Sequence, residues 1–166
     1  MAEKKILVFD KTFSYQGLFS VKEFYNEAKS WLEEHGYGAY EVMHEEQVFE
    51  EGKQIFVEIN ADKKLSDYAK VVWITKLTFS NIKEVNVEIE GSKVKTNKGS
   101  VKCVTMVISN TDWDKTLEQN PFQYFLRVVL DKYVFKNYIS RAEKKAKKDY
   151  ALFEKHLKSY LNMSKF

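Results

Sequence analysis

Positions 122–166 contain no proline and no glycine, and this uninterrupted stretch limits the fold more than any other feature of the chain. Asn120 and Pro121 precede it. Asparagine is a favoured N-cap, and proline at the first helical position gives up a donor that lacks a partner there anyway. Phe122, Phe125, Leu126, Val129, Leu130, Tyr133, Val134 and Tyr138 then form a wide apolar stripe. The stripe narrows to Ala142, Ala146, Tyr150, Phe153, Leu157 and Leu161, a near-heptad seam amid lysines. A single helix over 121–161 is about 60 Å long, whereas a compact domain of this size is only about 30–35 Å across. The helix must therefore break near Ser140–Ala142, or project and pack on something else. Burying the seam's large side chains contributes several kcal/mol before entropy costs. Folding the tail back on the chain's own body supplies that burial, and so does pairing with another copy. The excess of helix length over domain width leads us to expect a homo-oligomer assembled through the seam.

The first 120 residues read as a helix set among strands. Residues 4–14 predict a strand, broken at Tyr15-Gln16-Gly17. Ser20 with Glu23 three residues on makes a capping-box pattern, and Val21, Phe24, Tyr25, Ala28, Trp31 and Leu32 give the following helix one apolar face, ending at Glu34-His35-Gly36. Period-two patterns then predict strands over 38–50, 53–62, 69–80, 82–90, 93–98 and 100–113. Their turns are read at Glu51-Gly52 and Gly91-Ser92, and Gly99 separates the last two. Such short connections require antiparallel pairing. The fold class is thus α+β: about seven antiparallel strands in a curved sheet gripping a long C-terminal helix, with one helix inserted after the first strand.

This order of elements, over roughly residues 4–140, resembles the helix-grip fold of the START and pollen-allergen-like (SRPBCC) superfamily. The resemblance implies a sheet wrapped around the C-terminal helix with a cavity for an apolar ligand between them. Phe56, Trp73, Phe79, Phe125, Val129 and Tyr133 are the candidates to line that cavity. It also implies a domain over 1–140, leaving 141–166 as a basic amphipathic helical extension. Because Phe122, Tyr124, Phe125 and Phe135 cannot all face one side of a helix, some aromatic surface is expected to stay exposed or meet a partner.

Charge is divided along the chain. Residues 132–166 hold ten Lys or Arg against three acids, and residues 1–131 hold 17 against 21. Two basic groups stand out: Lys93, Lys95, Lys98 and Lys102 on a hairpin, and Arg141, Lys144, Lys145, Lys147 and Lys148 on the tail. Either suits phosphates, although lysine in place of arginine argues against base-specific readout.

Enzymatic signatures are missing. His35, His44 and His156 form no i, i+4 pair, the chain lacks Walker, GxSxG and GxGxxG patterns, and Cys103 in VKCVTMV reads as a small core hydrophobe. The expectations are no metal, no cofactor and no catalysis. One cysteine excludes an internal disulfide, and the lack of an 18-residue apolar run or signal-peptide core predicts a soluble cytoplasmic protein. The leading functional expectation is a non-catalytic binding or structural protein using the cavity, the tail, or both. The alternative is a nucleic-acid- or ribosome-associated factor acting through the two basic groups.

Overall fold

The computed structural model describes residues 3–66, 69–111, 121–130, 133 and 136–163. Five strands, β1 (Glu3–Phe19), β2 (Gly38–Phe49), β3 (Gly52–Ser66), β4 (Ala69–Ile89) and β5 (Ser92–Thr111), pair antiparallel in the order β1-β5-β4-β3-β2. Helix α1 (Val21–Glu34) carries the chain from the β1 edge to the β2 edge, and α2 (Pro121–Leu130) and α3 (Lys136–Met163) follow the sheet. The class is α+β, as the sequence predicts, but the strands number five among the described residues, not seven.

Two of the expected breaks are the two sides of one bulge between long strands. Ser80 pairs with Ser100 and Lys83 with Lys98, so Asn81 and Ile82 together face the single residue Gly99. Asn81 sits at φ 55, and a Cβ on Gly99 would lie 2.6 Å from Ile82 Cδ1 and 2.8 Å from the Ser80 carbonyl oxygen. The glycine therefore marks a close approach of two backbones in a continuous pair of strands. A third expected break, Tyr15-Gln16-Gly17, lies inside β1, where Gly17 pairs with Gly99. The hairpin turn is Glu90-Gly91, one residue earlier than expected. Its φ values of 49 and 81 have the positive sign that a two-residue type I′ connection needs. The turn from β2 to β3 is likewise Glu50-Glu51, with Phe49 paired to Gly52.

The expected start of α1 is present. Ser20 Oγ accepts from the Glu23 amide at 3.3 Å and Asn97 Oδ1 accepts from the Val21 amide. The Glu23 carboxylate does not close the capping box. It accepts from the Tyr160 hydroxyl of α3 at 3.0 Å instead, which ties the two helices together.

One face of the sheet is lined by Ile55, Val57, Ile59, Val71, Leu77, Val101 and Val107, all buried under α1 and α3. Trp73 lies at the centre of this face, in a cross-strand row with Ala39, Ala61, Val107 and Val8. The small alanines beside it leave the indole room to meet Trp31 at 6.0 Å, Tyr37 at 5.1 Å and Phe153 at 5.5 Å between ring centroids.

The helix laid on the sheet is α3, and the seam is what it buries. Ala146, Tyr150, Phe153, Leu157 and Leu161 all join the one hydrophobic core, and Ala142 is half-buried at its margin. This corrects two expectations. The seam is filled by the chain's own sheet and helix, so it is not left for assembly in trans. Residues 141–161 complete the core in place of extending beyond a 1–140 domain. The physical reason is register: α3 begins at Lys136, so the narrow stripe, not the wide one before it, falls over Trp73.

Each large side chain of the seam contributes about 1.5–3 kcal/mol of burial, and domains of this kind hold only about 5–15 kcal/mol in total. A chain ending at Ser140 is therefore expected to lose cooperative urea unfolding, because Trp73 loses the Tyr150 and Phe153 rings that cover it. Phe153→Ala in the full chain should lower stability by about 3–5 kcal/mol. A truncated chain that unfolds cooperatively with native near-ultraviolet circular dichroism would contradict this packing.

Candidate functional site

The six residues expected to line one cavity lie in three places. Trp73 and Phe79 are fully buried in ring contacts, with Phe79 against Phe19 and Phe24 at about 6 Å. Phe56 is on the opposite face of the sheet, because Ile55 and Val57 on either side of it point to the core and side chains alternate along a strand. Phe125, Val129 and Tyr133 are exposed to solvent. The space between sheet and helix is occupied by Phe153 and Leu157 of α3, which is why this set forms no apolar pocket.

The two basic groups are also separate. Arg141, Lys144, Lys145, Lys147 and Lys148 are all exposed on α3, at the end where Glu143 pairs with Lys5 of β1. Lys93, Lys95 and Lys98 belong to the β4–β5 hairpin, which meets the other end of α3 at Tyr160. Lys102 is exposed on the sheet's outer face, since Val101 and Cys103 beside it point inward. The 15 residues from Lys145 to Tyr160 span roughly 22 Å of helix, so hairpin and tail do not make one patch.

What the fold does assemble is a helix surface sorted by charge. Glu143 and Asp149 are the acids between Arg141 and Tyr150, and both face inward, at 8% and 5% exposure. Glu143 accepts from Lys5 Nζ, and Asp149 Oδ2 accepts from the buried Tyr37 hydroxyl at 2.8 Å. With both carboxylates held by the body of the protein, the outward face of this segment presents five cations and no acid. Farther along, His156 Nε2 meets Glu27 Oε2 of α1 at 2.7 Å, so the remaining α3–α1 contact also uses polar pairs. None of these inward pairings was read from the sequence, where Glu143 and Asp149 look like ordinary members of a solvated charge run.

Immediately before this surface stands α2. Phe122, Phe125, Leu126 and Val129, spaced i, i+3, i+4, i+7, share one helix face, and all four are exposed. Tyr133 and Tyr138 follow and are exposed too. The expectation that some aromatic surface remains uncovered is met here. The side chains of Tyr124, Leu130, Val134 and Phe135 lie outside the described residues.

Burial pushes the Cys103 thiol up to about 12, leaving it protonated and unreactive in the core. His35 stacks on Trp31 with ring centroids 3.7 Å apart, and its Nδ1 lies 2.8 Å from the Trp31 carbonyl oxygen at the end of α1. Among the described residues, no three His, Cys, Asp or Glu side chains gather as metal ligands, and no helix is long and apolar enough to cross a membrane. Comparison of the chain with protein-family models, with curated proteins and with solved structures finds no match.

The buried acids of this region set an alkaline limit on the fold. Burial raises the Tyr37 phenol, reinforced by its hydrogen bond to Asp149, and burial raises Tyr150, reinforced by Glu154. In the unfolded chain tyrosine ionises near ~10 and cysteine near ~8.5. Above those values the unfolded state gives up protons that the folded state keeps, so stability falls as pH rises. Urea midpoints are therefore expected to decline steadily from about pH 9 upward, the value at which unfolded thiols and phenols begin to ionise. Tyr37→Phe should make the decline shallower by about one proton. A midpoint independent of pH across this range would show that these groups are not buried as described.

Proposed function

We propose that this is a non-catalytic binding protein whose working surface is the outer face of α3, and that it takes an anionic partner. One observation carries the reading: both acids between Arg141 and Tyr150 are turned inward, to Lys5 and Tyr37, while all five cations of the same stretch point outward. A solvated face that serves only solubility gains from mixing the two signs along it. Sorting them concentrates a positive field over a few turns of helix, which raises the local concentration and the association rate of anions.

The space between sheet and helix where an apolar ligand was expected holds Phe153 and Leu157 of α3, which favours a surface-based reading. Kinship with the helix-grip superfamily remains a proposal, supported by the antiparallel sheet with the last helix laid across it. The free, buried thiol of Cys103 suits a reducing compartment such as the cytoplasm. A nucleic-acid or ribosomal partner satisfies the same charge, and the position of the lysines makes the two basic groups separable by experiment.

On a heparin column at low salt the protein should be retained and should elute as ionic strength rises, through displacement of counterions. Combined Lys144→Glu, Lys145→Glu, Lys147→Glu and Lys148→Glu should abolish retention. Lys93→Glu with Lys95→Glu and Lys98→Glu, at the other end of α3, should leave most of it. Equal elution of the native protein and the α3 variant would overturn the reading.

A further inference from the structure

In the sequence, the outward cations of α3 follow a second feature that a polyanion does not explain. Phe122 and Phe125 are 72% and 64% exposed, Leu126 and Val129 share their helix face, and Tyr133 is 74% exposed. With aromatic side chains of roughly 150–250 Å² each, this stripe leaves on the order of 500 Å² of apolar surface in water. Resting on the anionic-partner reading above, we infer that this stripe is an interfacial anchor. On this inference α2 lies flat in the headgroup region of an anionic lipid bilayer, with the lysines of α3 over the phosphates.

Several independent features select a bilayer. Residues 121–148 carry eight Lys or Arg against two acids, and one of those acids, Glu143, faces the core. This charge complements a surface of anionic lipid, which attracts clusters of exposed lysines on amphipathic helices. The stripe combines two phenylalanines and a tyrosine with Leu126 and Val129. Aromatic rings alone could stack on unpaired bases, but aliphatic side chains gain nothing from phosphate or ribose. At the boundary of headgroup and acyl chain they are buried. The ten residues of α2 measure about 15 Å, half the thickness of a hydrocarbon core, so the helix lies in the interface plane instead of crossing it.

A second copy is a poorer occupant. A two-fold contact through this face brings two strongly basic segments together, and the stripe supplies less than the roughly 800 Å² per partner of a stable protein interface. A bilayer meets neither objection, because its area is unlimited and its charge is opposite. Lysine steers and holds the protein at the surface, and the phenylalanines supply the part of the affinity that salt does not screen.

The full chain is tested by sedimentation with vesicles of phosphatidylcholine alone or with about a third phosphatidylserine, a content that gives the negative surface the argument needs. Binding is expected to the anionic vesicles and not to the neutral ones. Lys144→Glu with Lys145→Glu, Lys147→Glu and Lys148→Glu should weaken it roughly a hundredfold or more. Phe122→Ser with Phe125→Ser should weaken it at least tenfold while heparin retention and thermal midpoint stay unchanged, since both side chains lie outside the core. Equal binding to both vesicle types overturns the inference, as does anionic binding that ignores the phenylalanines. Heparin retention without vesicle binding, or preferential capture of single-stranded RNA, overturns the bilayer while leaving the anionic-partner reading intact. Loss of heparin retention dependence on the α3 lysines overturns both.

Discussion

The fold depends on one contact, Phe153 of α3 against Trp73 and Trp31. The rings of Phe153 and Trp31 are 5.2 Å apart and those of Phe153 and Trp73 5.5 Å, both edge-on. Such pairs add about 0.5–1.5 kcal/mol to the burial of the rings themselves. More important is what they join. Trp73 comes from the middle strand of the sheet, Trp31 from the helix that crosses it, and Phe153 from a helix that begins 25 residues after the last strand ends. Around this triad Tyr37, Tyr150 and Leu157 close the core. With the triad in place, the inner face of the sheet is dry and α3 is fixed along it.

Once α3 is fixed, the surface chemistry follows. Lys5 at one sheet edge can reach only one side of the helix, and Tyr37 can reach only one other point, so Glu143 and Asp149 become the inward pair. A buried carboxylate without a donor costs several kcal/mol, so both positions need the partners they have. The outward cations are then left without acidic neighbours on the adjacent turns. The same docking consumes the sheet's apolar inner face, while Phe122, Phe125, Leu126 and Val129 of α2 stay exposed. Charge sorting and apolar exposure thus share one cause, the placement of α3.

Much of the architecture was legible in the sequence, in a way that particular residues explain. Ser20 and Glu23 marked the start of α1, alternation marked the strands, and the spacing of Ala146, Tyr150, Phe153, Leu157 and Leu161 marked a face that had to be buried. Where it was buried was not legible. A near-heptad stripe specifies that a helix needs a partner, not whether the partner is the same chain. An unbroken helix over 121–161 would project past the domain and need a partner, whereas α3 starts at Lys136 and lays its narrow stripe on the sheet. Strand number failed at Asn81 and Gly99 for a related reason. Glycine and asparagine punctuate turns and bulges alike, and only the pairing of Ser80 with Ser100 and Lys83 with Lys98 tells which it is. Glu143 and Asp149 could not be told from solvated acids, because their partners lie 138 and 112 residues away in the chain.

The central claim is that the second apolar stripe of the C-terminal region, not the first, is the one the sheet holds. Hydrogen–deuterium exchange of the intact protein, read by mass spectrometry on peptides from α2, α3 and β4, measures this directly. Amides of residues 146–161 should exchange as slowly as those of 71–79, through global unfolding alone. Amides of 124–129 should exchange orders of magnitude faster, because Phe122, Phe125, Leu126 and Val129 of that helix face solvent. Slow exchange over 124–129 together with fast exchange over 146–161 would contradict the account.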